Sequence, residues 1–274
     1  MRELTLFNVH HDCLTLSPVK STVFYADGCN FRCKGCLYWE ARETTRRFSM
    51  TVRDAAESVM EHGSECIVLS GGNPVLQAEA FLEMVESVRA RKDVGLIVYC
   101  GETREELEAL KASDPAVRRL IGQADIVISG RYVPELDAGN ARVGSTNQNV
   151  DFLTDRYAGY GGLYEVRERR VEIELTLGDE PYLSYSGVPS PTQRRLFDEL
   201  GRALGREEYP DDPGPVGIYS LTERTSMLAV DGEPLASVEF GEDLIRMDLG
   251  PVTDGQVPLL VDAFLVLMGG GTDV

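Results

Sequence analysis

The sequence predicts an α/β protein built on a parallel sheet, with a closing hairpin and a small α+β appendage toward its C-terminal end. Three observations lead there. Short apolar runs recur at 22–26, 66–70, 94–100 and 125–129, the pattern of strands covered on both faces. Segments of helical periodicity follow three of them, at 52–62, 76–90 and 104–112, as in repeated strand–helix units. Beyond about Tyr164 the period changes. Val171, Ile173, Leu175 and Leu177 alternate with Glu172, Glu174 and Thr176, which marks a half-exposed antiparallel strand.

Taken in order, Thr22–Ala26 ends at Asp27-Gly28 and delivers a cysteine-rich loop. A hydroxyl cap at Ser49-Met50-Thr51 precedes a helix with Val52, Ala55, Ala56 and Val59 on one face and Gly63 as its stop. Cys66–Ser70 reads as a buried strand, followed by a Gly-Gly turn and a helix from Leu76 to Ala90. Val94–Cys100 is the next strand, with Thr103 capping the helix after it, and Asp125–Ser129 follows. The loops that leave the C-terminal ends of these strands hold the cysteines, Gly71-Gly72-Asn73-Pro74, Gly101-Glu102-Thr103 and Gly130-Arg131-Tyr132. In α/β folds chemistry gathers at those ends. The alternating strand should turn at Gly178-Asp179 into Tyr182–Ser186 and close a first domain, 1–188. A helix capped by Ser190, a charged Pro-rich connector at 205–215, strands at Met227–Val230, Leu235–Phe240 and Leu244–Asp248, and an apolar helix Val257–Met268 then make a second domain, 189–274. Its tail at 269–274 should be polar and disordered, and the domain itself is expected to recognise substrate or partner.

The chain has 274 residues, and 45 Asp and Glu outweigh 27 Lys and Arg for a formal charge of −18. That balance argues against a phosphate-tracking surface and hence against nucleic acid as a partner. MRELTLFNVHHDC lacks the basic and apolar segments of a signal peptide. No run approaches the roughly 20 apolar residues that span a bilayer. A soluble, cytoplasmic protein with no membrane partner is expected.

GCNFRCKGC sets Cys29, Cys33 and Cys36 within eight positions. Thiolates on so short a loop suit a cube of iron and sulfide held by three ligands, which leaves one iron open for a substrate or cofactor. Two alternatives remain at this point. A zinc ion could recruit Cys13, Cys66 or His62 as a fourth ligand, or two of the thiols could form a redox pair. Cys13, Cys66 and Cys100 stand alone beside apolar segments and read as core residues.

The order of C-x3-C-x2-C after the first strand, SGGNP after the second and VYCGET after the third resembles the radical S-adenosylmethionine (SAM) superfamily. Within it the chain is most similar to the activating proteins of anaerobic ribonucleotide reductase, and more distantly to that of pyruvate formate-lyase. The most specific stretches are 98–107, 125–132 and 144–148, and the likeness runs from Thr22 to Pro189. It implies a partial (βα) barrel in which Cys29, Cys33 and Cys36 hold a [4Fe–4S] cluster. Gly71, Gly72 and Asn73 occupy the loop that binds the SAM amino group, Gly101 and Thr103 lie near its ribose and methionine, and Tyr38 joins the cofactor side. The implied activity is reductive cleavage of SAM to a 5′-deoxyadenosyl radical that takes hydrogen from a substrate C–H. Its partners would be an electron donor such as flavodoxin or ferredoxin and a glycyl-radical enzyme.

The departures fall on the substrate side. Leu16-Ser17-Pro18-Val19-Lys20-Ser21 replaces the usual Gly-Pro-Gly and arginine, and Leu37-Tyr38-Trp39 follows the last cysteine. Asn73 stands for an acid, keeping an acceptor and losing its charge, and Ser129 replaces an aspartate. A radical SAM enzyme modifying a small metabolite or peptide is therefore the alternative, with an iron–sulfur or zinc binding module as a third reading. Trp39 either stacks on adenine or packs, and Arg131 and Tyr132 either face the site or order their loop. Asn147 and Gln148 are candidates to line the cavity, and His10 and His11 are expected in solvent.

Overall fold

The computed structural model describes residues 2–36, 38–43, 47–176, 182–204, 216–222, 224–230, 232–241 and 244–270. The chain forms two compact units, Met1–Arg167 and Glu168–Val274.

The first unit contains strands β1 (Glu3–Cys13), β2 (Ser21–Ala26), β3 (Phe48–Thr51), β4 (Cys66–Gly71), β5 (Gly95–Cys100), β6 (Ile126–Ser129) and β7 (Asn149–Phe152). They make one sheet in the order β3-β1-β2-β4-β5-β6-β7. The four predicted strands, β2, β4, β5 and β6, are its parallel centre, and β1, β3 and β7 are antiparallel to their neighbours. Every residue of β2 and β6 is buried, as continuous apolar runs require. The sheet and its helices form a mixed α/β layer structure compatible with a partial (βα) barrel.

Helices α1 (Glu40–Glu43), α2 (Val52–Glu61), α3 (Ala78–Arg89), α4 (Arg104–Ser113) and α5 (Pro115–Gly122) complete the unit. Thr51 caps α2 by accepting from Asp54 N, and Val52, Ala55, Ala56 and Val59 are buried as their spacing predicts. The side chains of α2, α3 and α5 share one apolar core with the sheet, around Phe81, Met84, Leu96 and Leu120. The pattern does not foresee α5. It begins because Pro115 ends α4 while Asp114 accepts from Ala116 N and Val117 N.

A second unforeseen element, β1, changes the reading of the histidines. It lies between β2 and β3, and its burial alternates along the strand. His10 falls on the covered face and is fully buried, not in solvent. His11 is half-buried, its ring stacked 3.7 Å from that of His62.

The second unit holds β8 (Val171–Thr176), β9 (Tyr182–Gly187), α6 (Pro191–Ala203), β10 (Val216–Thr222), β11 (Thr225–Val230), β12 (Glu233–Phe240), β13 (Leu244–Leu249) and α7 (Val257–Gly270). Its strands form an antiparallel sheet in the order β10-β11-β12-β13-β8-β9, and α6 packs with α7. The hairpin expected to close the first domain belongs here instead. β8 pairs with β13 along its whole length, from Val171↔Leu249 to Thr176↔Leu244, so the boundary falls after Arg167 and not near 188. Nor is β8 half-exposed. Val171 to Leu175 are all buried, and Arg246 donates to Glu174 at 2.6 Å, which offsets the cost of covering that carboxylate. The turn at Gly178-Asp179 and the connector 205–215 lie outside the described residues, as do 271–274 of the expected tail, while Gly269 and Gly270 continue α7. No helix among the described residues is long and apolar enough to cross a membrane.

Candidate metal centre

Parallel pairing sets the C-terminal ends of the central strands level. Ala26 pairs with Gly71 and Cys100 with Ser129. The cysteine loop is then tied to the Gly-Gly loop by backbone bonds of 2.8 Å, from Gly72 N to Ala26 O and from Asn73 N to Gly28 O. A Cβ at Gly71 would lie 2.7 Å from Ala26 N, and one at Gly72 would lie 2.2 Å from Gly28 O. The missing side chains thus make room for the backbone that carries the cysteines. Gly101 makes room for a side chain of the same loop, since its Cβ would lie 2.3 Å from the Phe31 ring.

The Asn73 amide joins three loops. Its Nδ2 donates to Asn30 Oδ1 and to Glu102 Oε1, each at 2.8 Å. The guanidinium of Arg131 lies 4.3 Å above the Phe31 ring and donates to Glu106 at 2.8 Å, so the loop after β6 reaches the same place.

Cys29, Cys33 and Cys36 are all partly buried and free of disulfides. Burial is the main cause that pushes the Cys29 and Cys36 thiols up. Backbone N–H groups of Phe31 and Tyr38 oppose it, the neighbouring cysteines add to it, and Arg42 pulls both down. The three sulfurs are therefore within electrostatic reach of one another. Among the described residues no three His, Cys, Asp or Glu side chains converge on a single metal ion. The donor set fits an iron–sulfur group: three thiols on one loop, two of them receiving the backbone N–H bonds that tune cluster sulfurs.

The residues considered as a fourth zinc ligand sit at the other end of the sheet. Cys66 pairs with Ser21, and Cys13 also pairs with Ser21. The cysteine loop leaves β2 five residues further on, roughly 17 Å along the strand. His62 lies 3.6 Å from Asp12 at that same far end. Cys13, Cys66 and Cys100 are core residues, as expected.

Several other candidates have structural partners. The Thr103 hydroxyl accepts from Glu106 N and donates to Glu105, capping α4. Tyr38 packs on Tyr25, with ring centroids 4.9 Å apart and a hydroxyl contact of 3.3 Å. Trp39 is 46% exposed. Asn147 donates to Arg131 O and Gln148 to Gly130 O, so both hold the loop after β6. Tyr132 lies 3.7 Å from the Cβ position of Gly35 between the last two cysteines. Asn30, Phe31 and above all Glu102 are assigned no role by the sequence. The one signal was an acid directly after the glycine that ends an apolar strand.

Residues 19–151 match the model of a family described as the 4Fe-4S single cluster domain. This family is found in radical SAM enzymes, and the match supports an iron–sulfur, radical SAM-like protein. Among curated proteins none matches the chain.

Proposed function

We propose that the chain is a radical SAM enzyme in which Cys29, Cys33 and Cys36 hold a [4Fe–4S] cluster and leave one iron open to the amino and carboxylate groups of SAM. The chemistry that such a cluster supplies when bound is one electron to the SAM sulfonium, yielding methionine and a 5′-deoxyadenosyl radical that takes hydrogen from a C–H bond. The chain's own part is to bind and orient SAM on the loops of adjacent strands and to keep water away, with Phe31 packed on Gly101 and the Arg131 guanidinium over the Phe31 ring. One observation carries the reading. The Asn73 amide joins the cysteine loop, the Gly-Gly loop and the end of β5 into one polar junction, in which Asn73 and Glu102 are buried.

By resemblance the substrate is a glycyl-radical enzyme, with flavodoxin or ferredoxin as electron donor. A second reading, modification of a small metabolite or peptide, is favoured by the unit Glu168–Val274, which has a six-stranded sheet of its own.

Anaerobic reconstitution should give about four irons and four sulfides per chain, and dithionite should then release 5′-deoxyadenosine from SAM. Cys33→Ala should lose both properties and Cys66→Ala should keep them. Colourless protein holding stoichiometric zinc under these conditions would overturn the proposal. A glycyl-radical resonance on a partner enzyme supports the first substrate reading, and hydrogen loss from a metabolite or peptide supports the second.

A further inference from the structure

The loop after β6 meets the cysteine loop at two points. The Tyr132 ring lies 3.7 Å from the Cβ position of Gly35, which separates Cys33 from Cys36 in the chain. The Arg131 guanidinium lies 4.3 Å from the centroid of the Phe31 ring, and Phe31 stands between Cys29 and Cys33 in the chain. Phe31 is tied to a sulfur in turn, since its backbone N–H donates to Cys29 Sγ at 3.4 Å. The arginine is held from behind. Asn147 donates to Arg131 O and Gln148 to Gly130 O, each at 2.8 Å, and Gly130 N donates to Cys100 O at 3.1 Å. A fixed positive charge is thereby seated against the loop that carries the sulfur donors.

Arginines from two different elements reach the sulfurs electrostatically. Arg131 acts on Cys33, and Arg42 of α1 acts on Cys29 and Cys36. Glu102 acts on Cys29 with the opposite sign. Lys34, although next to Cys33 in the chain, pairs with Glu135 at 3.7 Å and is 85% exposed, where water and salt screen its charge. Arg131 carries a counter-charge that can be removed by itself. Its guanidinium donates to Glu106 at 2.8 Å, and Glu106 belongs to the capping box of α4. Glutamine at that position keeps the cap and an acceptor for Arg131 and loses only the charge.

An iron–sulfur group that takes up one electron becomes more negative, and a nearby fixed cation favours that state. We infer that Arg131, seated on Phe31, raises the reduction potential of the cluster held by Cys29, Cys33 and Cys36, and that Glu106 moderates the effect. Arg131 is a positioning residue in this role and not a ligand. The step is the uptake of one electron from the donor, and no bond or proton is exchanged at Arg131. The inference rests on the cluster assignment above and is independent of the substrate.

The test is an EPR-monitored redox titration of anaerobically reconstituted protein, with dithionite as reductant and without SAM. Wild type is compared with Arg131→Gln, Arg131→Lys, Glu106→Gln and Arg91→Gln. Arg131→Gln should lower the one-electron equilibrium about tenfold, a fall of ~59 mV in midpoint potential. Arg131→Lys should stay close to the wild type, since it keeps a cation over the ring. Glu106→Gln should move the potential the other way. Arg91→Gln removes the same charge from a pair with Glu57, four residues before the start of β5, and should leave the potential unchanged. Equal potentials in wild type, Arg131→Gln and Glu106→Gln would remove this inference alone. Shifts of the same sign in Arg131→Gln and Glu106→Gln would also overturn it, because they mark a disturbed loop and not a charge. Should Arg131→Gln load no iron, Glu106→Gln decides, and a potential at or below that of the wild type overturns the inference. Wild type that loads no cluster removes the radical SAM reading itself.

Discussion

Six cysteines on one chain divide by surroundings. Cys29, Cys33 and Cys36 sit partly exposed on a loop, whereas Cys13 and Cys66 are fully buried and Cys100 is 5% exposed. Burial pushes the Cys66 thiol up from 9.0 to about 11, against smaller opposing effects of Tyr157 and Ser17. It likewise pushes Cys100 up to about 12. Both stay protonated at neutral pH, where a thiolate ligand or nucleophile is needed. The linkage has a definite sign. Below pH 9 the Cys66 thiol is neutral in folded and unfolded chains alike, and its contribution is fully present. As pH rises from 9 to about 11 the unfolded chain ionises first, and the folded state loses on the order of 3 kcal/mol. Urea denaturation at pH 8, 9.5 and 10.5 should show this decline, and Cys66→Ala should flatten it.

Among the elements, caps and breakers were readable where they fall in a short window. Thr51, Thr103 and Ser190 each cap the helix expected after them. Asp114 shows the same chemistry where the sequence gives no expectation, its carboxylate accepting from Ala116 N at 2.8 Å and Val117 N at 3.2 Å. Asp114→Ala should therefore cost about 1 kcal/mol in chemical denaturation. β1 was harder to read because a strand of mixed polarity resembles a polar terminus until its neighbours are known. Once between β2 and β3 it buries Leu4, Leu6, Asn8 and His10 on one face. Thr103 illustrates the reverse case, a residue read toward the cofactor whose hydroxyl is committed to the helix it starts.

For the molecule as a whole, the boundary between units is set by β-pairing and not by composition. The Pro-rich stretch after α6 looks like a linker, yet β8 and β9 before it share a sheet with the strands after it. A fragment 168–274 should fold on its own, with a cooperative melt and mixed helix and sheet in circular dichroism. A fragment 189–274 should not, because it lacks two of the six strands and leaves one side of β13 unpaired. Two cooperative fragments of equal stability would contradict the boundary after Arg167.

What the sequence determined by itself is local. Apolar runs specify the parallel centre of the sheet, hydroxyl residues specify helix starts, and nine positions specify the sulfur donors. These signals lie within a few residues, where strand burial and cap chemistry operate. Only the tertiary structure decided which loops meet, because hydrogen bonds between strand ends join residues dozens of positions apart. It is at that level that Gly72 makes room for Gly28, and that Cys66 and His62 fall at the far end of the sheet. Glu102 owes its place to the same cause. Its sequence neighbours make it one acid in an acidic stretch, and only the packing of β5 beside β4 sets it against Asn73.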